Sequence, residues 1–167
     1  MSRSTTDRLI ANAERHASSI DSVDLPASPA GRIAVLTCMD SRIDIFGLLG
    51  LEIGEAHVLR NAGGVVTEDA IRSLSLSQHV LGTEEIILIH HTDCGLLGVD
   101  DEEYAAHLED AAGKRPRWRA HGFEDLEQDV RDGAEILRSS PFVPHTDAIR
   151  GFVYEVETGR LREVALG

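Results

Sequence analysis

Along the 167-residue chain the apolar positions change period several times, and each change marks an element. From Thr5 to Ile20, Leu9, Ala13, His16 and Ile20 recur at spacings of four, three and four, which is one face of a helix. That segment reads as an amphipathic packing arm. Asp21 to Gly31 places Pro26, Pro29 and Gly31 among small polar residues, an extended connection rather than an element. Arg32–Thr37 and Glu85–His90 are nearly continuous apolar runs, as expected of strands buried on both faces of a parallel sheet, with His57–Arg60 a weaker third. Thr67 to Leu81 returns to the helical period through Ala70, Leu74, Ser77 and Leu81, with Thr67 as N-cap, Glu68 and Asp69 in the first turn and Gly82 past the end. Ile43 to Leu49 is a shorter helix ending near Gly50. Strand and helix therefore alternate, the order of a parallel α/β sheet with crossover helices.

Two acidic helical segments follow, Glu102–Ala112 and Phe123–Arg138, the second with Leu126, Val130, Ala134 and Leu137 on one face. Arg150–Val156 alternates, Glu157–Arg160 turns, and Leu161–Leu166 completes a strand pair at the sheet edge. The predicted fold is α/β: a mainly parallel β-sheet flanked by helices, with an N-terminal helical arm and a C-terminal edge strand pair. Residues 1–167 read as a single domain: arm and linker over 1–31, a core over 32–98, acidic helices and terminal strands over 99–167.

Composition narrows the function classes. With 42% hydrophobic and 27% charged residues, the chain is neither disordered nor fibrous. Its longest apolar runs, Ile33–Leu36 and Ile86–Ile89, fall far short of the roughly 20 residues of a membrane helix, and no signal peptide opens it. The expectation is a soluble, cytoplasmic protein with no membrane partner. A net charge of −13 repels phosphate backbones, so no nucleic-acid partner is expected. The one basic cluster, Lys114–Arg119, reads as a solvated loop that offsets nearby acids.

The two cysteines change the picture most. Cys38 follows the first apolar run, and His91 and Cys94 follow the third. In an open parallel sheet the carboxyl ends of strands are where ligands bind, so both pieces can converge. Two thiolates and one imidazole suit Zn²⁺ and leave one tetrahedral position open, the mark of a catalytic site. A closed structural site would need another ligand, for which His90, His57 and His79 are candidates, although strand alternation turns His90 away from His91. The plainer alternative is two inert buried thiols and a hydrogen-bonded core histidine. A redox dithiol is disfavoured because the cysteines lie far apart and lack a Cys-x-x-Cys arrangement. Two residues beyond Cys38, Asp40 can reach such a metal, and Arg42 can hold its carboxylate by a bidentate pair; the competing reading is an exposed ion pair at a strand end.

Cys38-Met39-Asp40-Ser41-Arg42, Arg60-Asn61-Ala62-Gly63 and His91-Thr92-Asp93-Cys94-Gly95, in that order and spacing, resemble the β-class carbonic anhydrases. The resemblance covers most of Arg32 to Gly98, and the Gly151–Val164 tail is similar to short bacterial members. It implies one Zn²⁺ per subunit on Cys38, His91 and Cys94, with Asp40 and Arg42 as the catalytic dyad. Asp40 would be a metal ligand only in a closed state. The implied reaction is reversible hydration of carbon dioxide to bicarbonate and a proton by zinc-bound hydroxide, with hydrolysis of carbonyl sulfide or a related analogue as the alternative. A non-catalytic zinc protein is the more distant rival, and the Asp40–Arg42 pair argues against it. The family also implies a homodimer or homotetramer, with the arm clasping a partner and the pocket at the dimer interface. Members regulated by bicarbonate carry a Trp where this chain has Ile33–Leu36, so that regulatory site is not expected.

Overall fold

The computed structural model describes residues 4–19 and 24–167. Ile20, the last position of the expected arm face, and residues 21–23 of the linker lie outside the described residues. The apolar runs become strands β1 (Ile33–Cys38) and β3 (Glu85–His91), and the weaker run becomes β2 (Ala56–Asn61). Helix α1 spans Thr5–Ala17, α2 Ile45–Leu49, α3 Glu68–His79, α4 Asp101–Ala112 and α5 Leu126–Ser139, and strands β4 (Ile149–Glu155) and β5 (Arg160–Val164) close the chain. The sheet order is β2-β1-β3-β4-β5. All pairings are parallel except β4 with β5, which form the antiparallel edge pair the sequence predicts.

Side-chain alternation splits the core between the two faces of the sheet. Ile86 and Leu88 of β3 join Leu74 of α3 and Val130, Ala134 and Leu137 of α5 on one face. Val35 and Ile89 meet Ile43, Ile45, Phe123 and both cysteines on the other. Helix α3 starts at its predicted cap, with the Thr67 hydroxyl accepting from the Ala70 N–H at 3.2 Å. Among the described residues no helix is long and apolar enough to cross a membrane.

Several boundaries move for local reasons. The helix expected from Ile43 begins at Ile45, because the Asp44 carboxylate caps the Gly47 N–H, and it ends on Gly50 in the left-handed conformation. The helix expected from Phe123 begins at Leu126, capped by Asp125 through the Glu127 and Gln128 N–H groups. Phe123 instead pairs with Leu97 in a short bridge. The arm forms as α1 with a Ser4–Asp7 capping box but buries none of its residues within the chain. The basic cluster neutralises α4, with Arg115 paired to Glu102 and Glu109 and Arg119 to Asp101.

Candidate metal centre

β1 and β3 are parallel neighbours with Thr37 opposite Ile89, so their carboxyl ends lie side by side. Cys38 is the last residue of β1 and His91 the last of β3, each one position inside the strand rather than just past it. Cys94 returns on the turn that follows. The Cys38 and Cys94 sulfurs and a ring nitrogen of His91 lie within 4.8 Å of one another. All three residues are buried. The turn after β2 closes over this point so tightly that a Cβ on Gly64 would come within 2.8 Å of the Cys38 nitrogen, and Gly64 has φ +75°, a conformation open to glycine at little cost.

The electrostatics of the three donors suit a cation. Nδ1 of His91 lies 2.9 Å from the Thr92 carbonyl, which places the ring proton on Nδ1 and leaves the Nε2 lone pair free. That Nε2 is buried with no hydrogen-bond partner among the described residues, whereas buried polar atoms are nearly always partnered. Burial pushes the pKa of His91 down, so the ring is neutral. Burial pushes the Cys94 thiol up, and the neighbouring Cys38 adds to the rise. A divalent ion reverses that cost by stabilising the thiolates. The set of two sulfurs and one nitrogen fits zinc.

Asp40 and Arg42 stand beside these donors. Arg42 Nε and Nη2 donate to the two Asp40 carboxylate oxygens at 2.9 and 2.8 Å, and the Arg42 main-chain N–H adds a third bond at 2.9 Å. The guanidinium and that N–H hold the Asp40 carboxyl well below the usual carboxylate range. One Asp40 oxygen lies 3.8 Å from His91 Nε2. Asp40 is thus engaged with Arg42 and adjacent to the donor cluster, so the pair is more than an isolated ion pair at a strand end. Arg42 also donates to the Asp93 carboxylate at 2.7 Å and to the Asp93 carbonyl at 2.9 Å. The cysteines, Asp40, Arg42, Met39 and Leu96 line a cavity of about 650 Å³. A larger groove of about 770 Å³ between α3 and α5 is lined by Ile71, Leu76, Ile136 and Phe142 and holds none of these donors, so the chemistry belongs to the smaller cavity.

The histidines weighed as a fourth ligand are elsewhere. His57 bonds Ser77 at 2.7 Å, His79 ends α3, and His90 turns away to meet Asp129 at 2.6 Å, as strand alternation predicts. The residues that sequence reasoning left without a role are Asp93 and Arg60. Arg60 donates to the Cys38, Asp40 and Ile43 carbonyls. Both stand within the motifs, but no spacing rule singles them out.

Residues 33–161 match the family model described as carbonic anhydrase. The chain is 46% identical over 159 residues to Beta-carbonic anhydrase 1 of Mycobacterium tuberculosis, covering 95% of this chain and 97% of that protein. It is 41% identical over 156 residues to the carbon disulfide hydrolase of an Acidianus strain, covering 79% and 76%. Its fold superposes on a carbonic anhydrase crystal structure from Streptococcus mutans with a TM-score of 0.92 at 40% identity, covering 99% and 100%.

Proposed function

This chain belongs to the β-carbonic anhydrase family, and from that premise we propose that its Cys38–His91–Cys94 centre holds one zinc ion and carries out the reversible hydration of carbon dioxide to bicarbonate and a proton. The observation that carries the assignment is the buried His91 Nε2, without a hydrogen-bond partner among the described residues, on a ring that lies against two buried thiols, with the Asp40–Arg42 pair alongside. Zinc held by Cys38, His91 and Cys94 would supply the Lewis acidity that makes water a nucleophile near neutral pH. Two thiolates neutralise the ion's formal charge, so the surrounding residues must contribute more than they would around three neutral histidines.

Asp40 makes that contribution. Held ionised by Arg42, its carboxylate accepts a hydrogen bond from the attacking oxygen and so turns that oxygen's lone pair towards carbon dioxide. Arg42 keeps the carboxylate in one orientation through two parallel bonds. Asp40 becomes a metal ligand only by leaving Arg42, the closed state, whereas the arrangement here is the paired one. The proton leaves through solvent or buffer, since His90 is buried against Phe123 and bonded to Asp129.

The carbon disulfide hydrolase relatives favour a second reading on the same centre, hydrolysis of carbonyl sulfide or carbon disulfide. Steady-state rates on all three substrates with zinc-loaded protein separate the readings: carbon dioxide turnover well above the sulfur substrates is expected, and the reverse order would replace the first reading with the second. We further propose a single-domain, cytoplasmic homodimer or homotetramer in which α1 packs on a partner, since it buries nothing within its own chain. Sedimentation of the full chain beside one lacking residues 1–19 tests this, with dissociation of the truncated form expected.

A further inference from the structure

Arg60 stands on the edge strand β2, paired in register with Thr37 of β1. Among the described residues no carboxylate pairs with it; its guanidinium is spent on main-chain carbonyls. Nε donates to the Cys38 carbonyl at 2.9 Å, Nη2 to the Asp40 carbonyl at 2.6 Å and Nη1 to the Ile43 carbonyl at 3.2 Å. These three carbonyls span the turn that carries a proposed metal ligand and the proposed catalytic carboxylate. Within that turn, Ile43 N–H bonds the Asp40 carbonyl at 3.2 Å, and at its start Met39 N–H bonds the Asn61 carbonyl at 2.8 Å. Among the described residues, and beyond the β1–β2 ladder, these two are the main-chain-to-main-chain bonds left to hold the turn without Arg60.

We propose that Arg60 is a positioning residue for the reaction: its planar fork fixes the main chain from Cys38 to Ile43 and thereby sets where the Asp40 carboxylate points. The inference rests on the function proposed above. Its physical basis is that the Asp40 side chain is aimed partly by the turn itself, because the Arg42 main-chain N–H is one of the three donors to the carboxylate. A turn free to shift carries that donor, the Arg42 guanidinium and Asp40 away together. Misplacement of a catalytic group by about 1 Å costs up to about a hundredfold in rate. Lysine does not substitute, since a single ammonium cannot offer the rigid, divergent donors of a guanidinium.

The test compares zinc-loaded wild type with Arg60→Ala and Arg60→Lys. Both variants keep the three donor side chains, so zinc content stays at one ion per chain. In both, kcat for carbon dioxide falls more than about tenfold while KM stays within about twofold. Guanidinium ion at sub-denaturing concentration restores part of kcat to Arg60→Ala and none to Arg60→Lys. Amide hydrogen exchange across residues 38–43 quickens about tenfold in both variants and slows again in Arg60→Ala with guanidinium. If Arg60→Ala yields no folded protein, Arg60→Lys carries the kcat and exchange comparison. The proposal is overturned if kcat in the variants remains within about twofold of wild type, if exchange in the segment is unchanged, or if zinc is lost from both variants. A wild type inactive on carbon dioxide, with exchange still quickened in the variants, would sink the function proposed above and leave the dependence of the turn on Arg60 standing.

Discussion

At the scale of single residues, the arrangement ties function to a charge held in place. Asp40→Asn keeps the size of the side chain and one acceptor oxygen but removes the charge that pairs with Arg42. Carbon dioxide hydration by stopped flow should fall at least about a hundredfold, the usual weight of a positioned acid–base group, with zinc content unchanged by metal analysis. Full activity in that variant would remove Asp40 from the mechanism. Asp93 separates stability from activity in a different way. It sits at φ 56°, a left-handed conformation that glycine adopts without a Cβ clash. Asp93→Gly should therefore melt no earlier than wild type, yet lose activity by less than about tenfold, because an exposed carboxylate is lost from Arg42 while the main-chain carbonyl remains. Earlier melting, or activity at the wild-type level, would contradict this account. The three donor residues are legible in the sequence because His-x-x-Cys is a local pattern and the apolar runs announce the strand ends. The supporting contacts are not. Arg42 reaches Asp93 across 51 positions and Arg60 reaches Cys38 across 22, largely through main-chain carbonyls, which leave no pattern of residue types.

At the scale of elements, the fit between α5 and β4 shows how closely the sheet face is filled. A Cβ on Gly151 of β4 would press on Val130 Cγ1 of α5 and come within 2.8 Å of Leu166 Cδ2, and Val130 is fully buried. Gly151→Ala should cost about 1–3 kcal/mol by overpacking, read as a lower urea midpoint with an unchanged slope. Val130→Ala makes room at the same contact, so the double variant should lose less than the two single losses together. Simple additivity would mean the strand and helix adjust independently. Gly151 and Val130 also mark the limit of reading elements from sequence. The helical period of α5 is visible in Leu126, Val130, Ala134 and Leu137, and the alternation of β4 in its own residues, but no property of either segment announces that they interlock at this pair. Phe123 makes the same point at a boundary. It has the right hydrophobicity to extend the α5 face, yet the Asp125 cap starts the helix later, and Phe123 is left to bridge Leu97 and pack beside His90.

At the scale of the whole molecule, a net charge of −13 sets the background against which an anionic product must enter and leave. Arg42, together with a metal held as proposed, would make a locally favourable site within that field. The same excess of carboxylates sets the acid side of stability. Arg162 and Arg131 hold Glu127 below its ordinary value of 4.5, and Arg150 does the same for Glu163. Burial works against the charge of Asp101, but the Gly122 N–H and Arg119 outweigh it and keep its pKa below 3.8. Because these groups bind protons less readily when folded, their contribution is complete above about pH 5 and is lost as pH falls through the ordinary carboxylate values towards the lower folded ones. Zinc held as proposed would respond in a higher window, since protons would compete with it for two thiolates and a neutral imidazole. Zinc-loaded protein should therefore melt above chelator-stripped protein at pH 8, by an amount that grows with free zinc. The gap should close on acidification before the carboxylate pairs are lost, so that both forms melt together at about pH 5 and then fall in parallel. Differential scanning calorimetry of both forms from pH 8 to pH 4 checks this order. A gap that persists undiminished below about pH 5 would mean the stabilising ion is held by oxygen donors, whose carboxylates protonate only at lower pH, rather than by Cys38, His91 and Cys94.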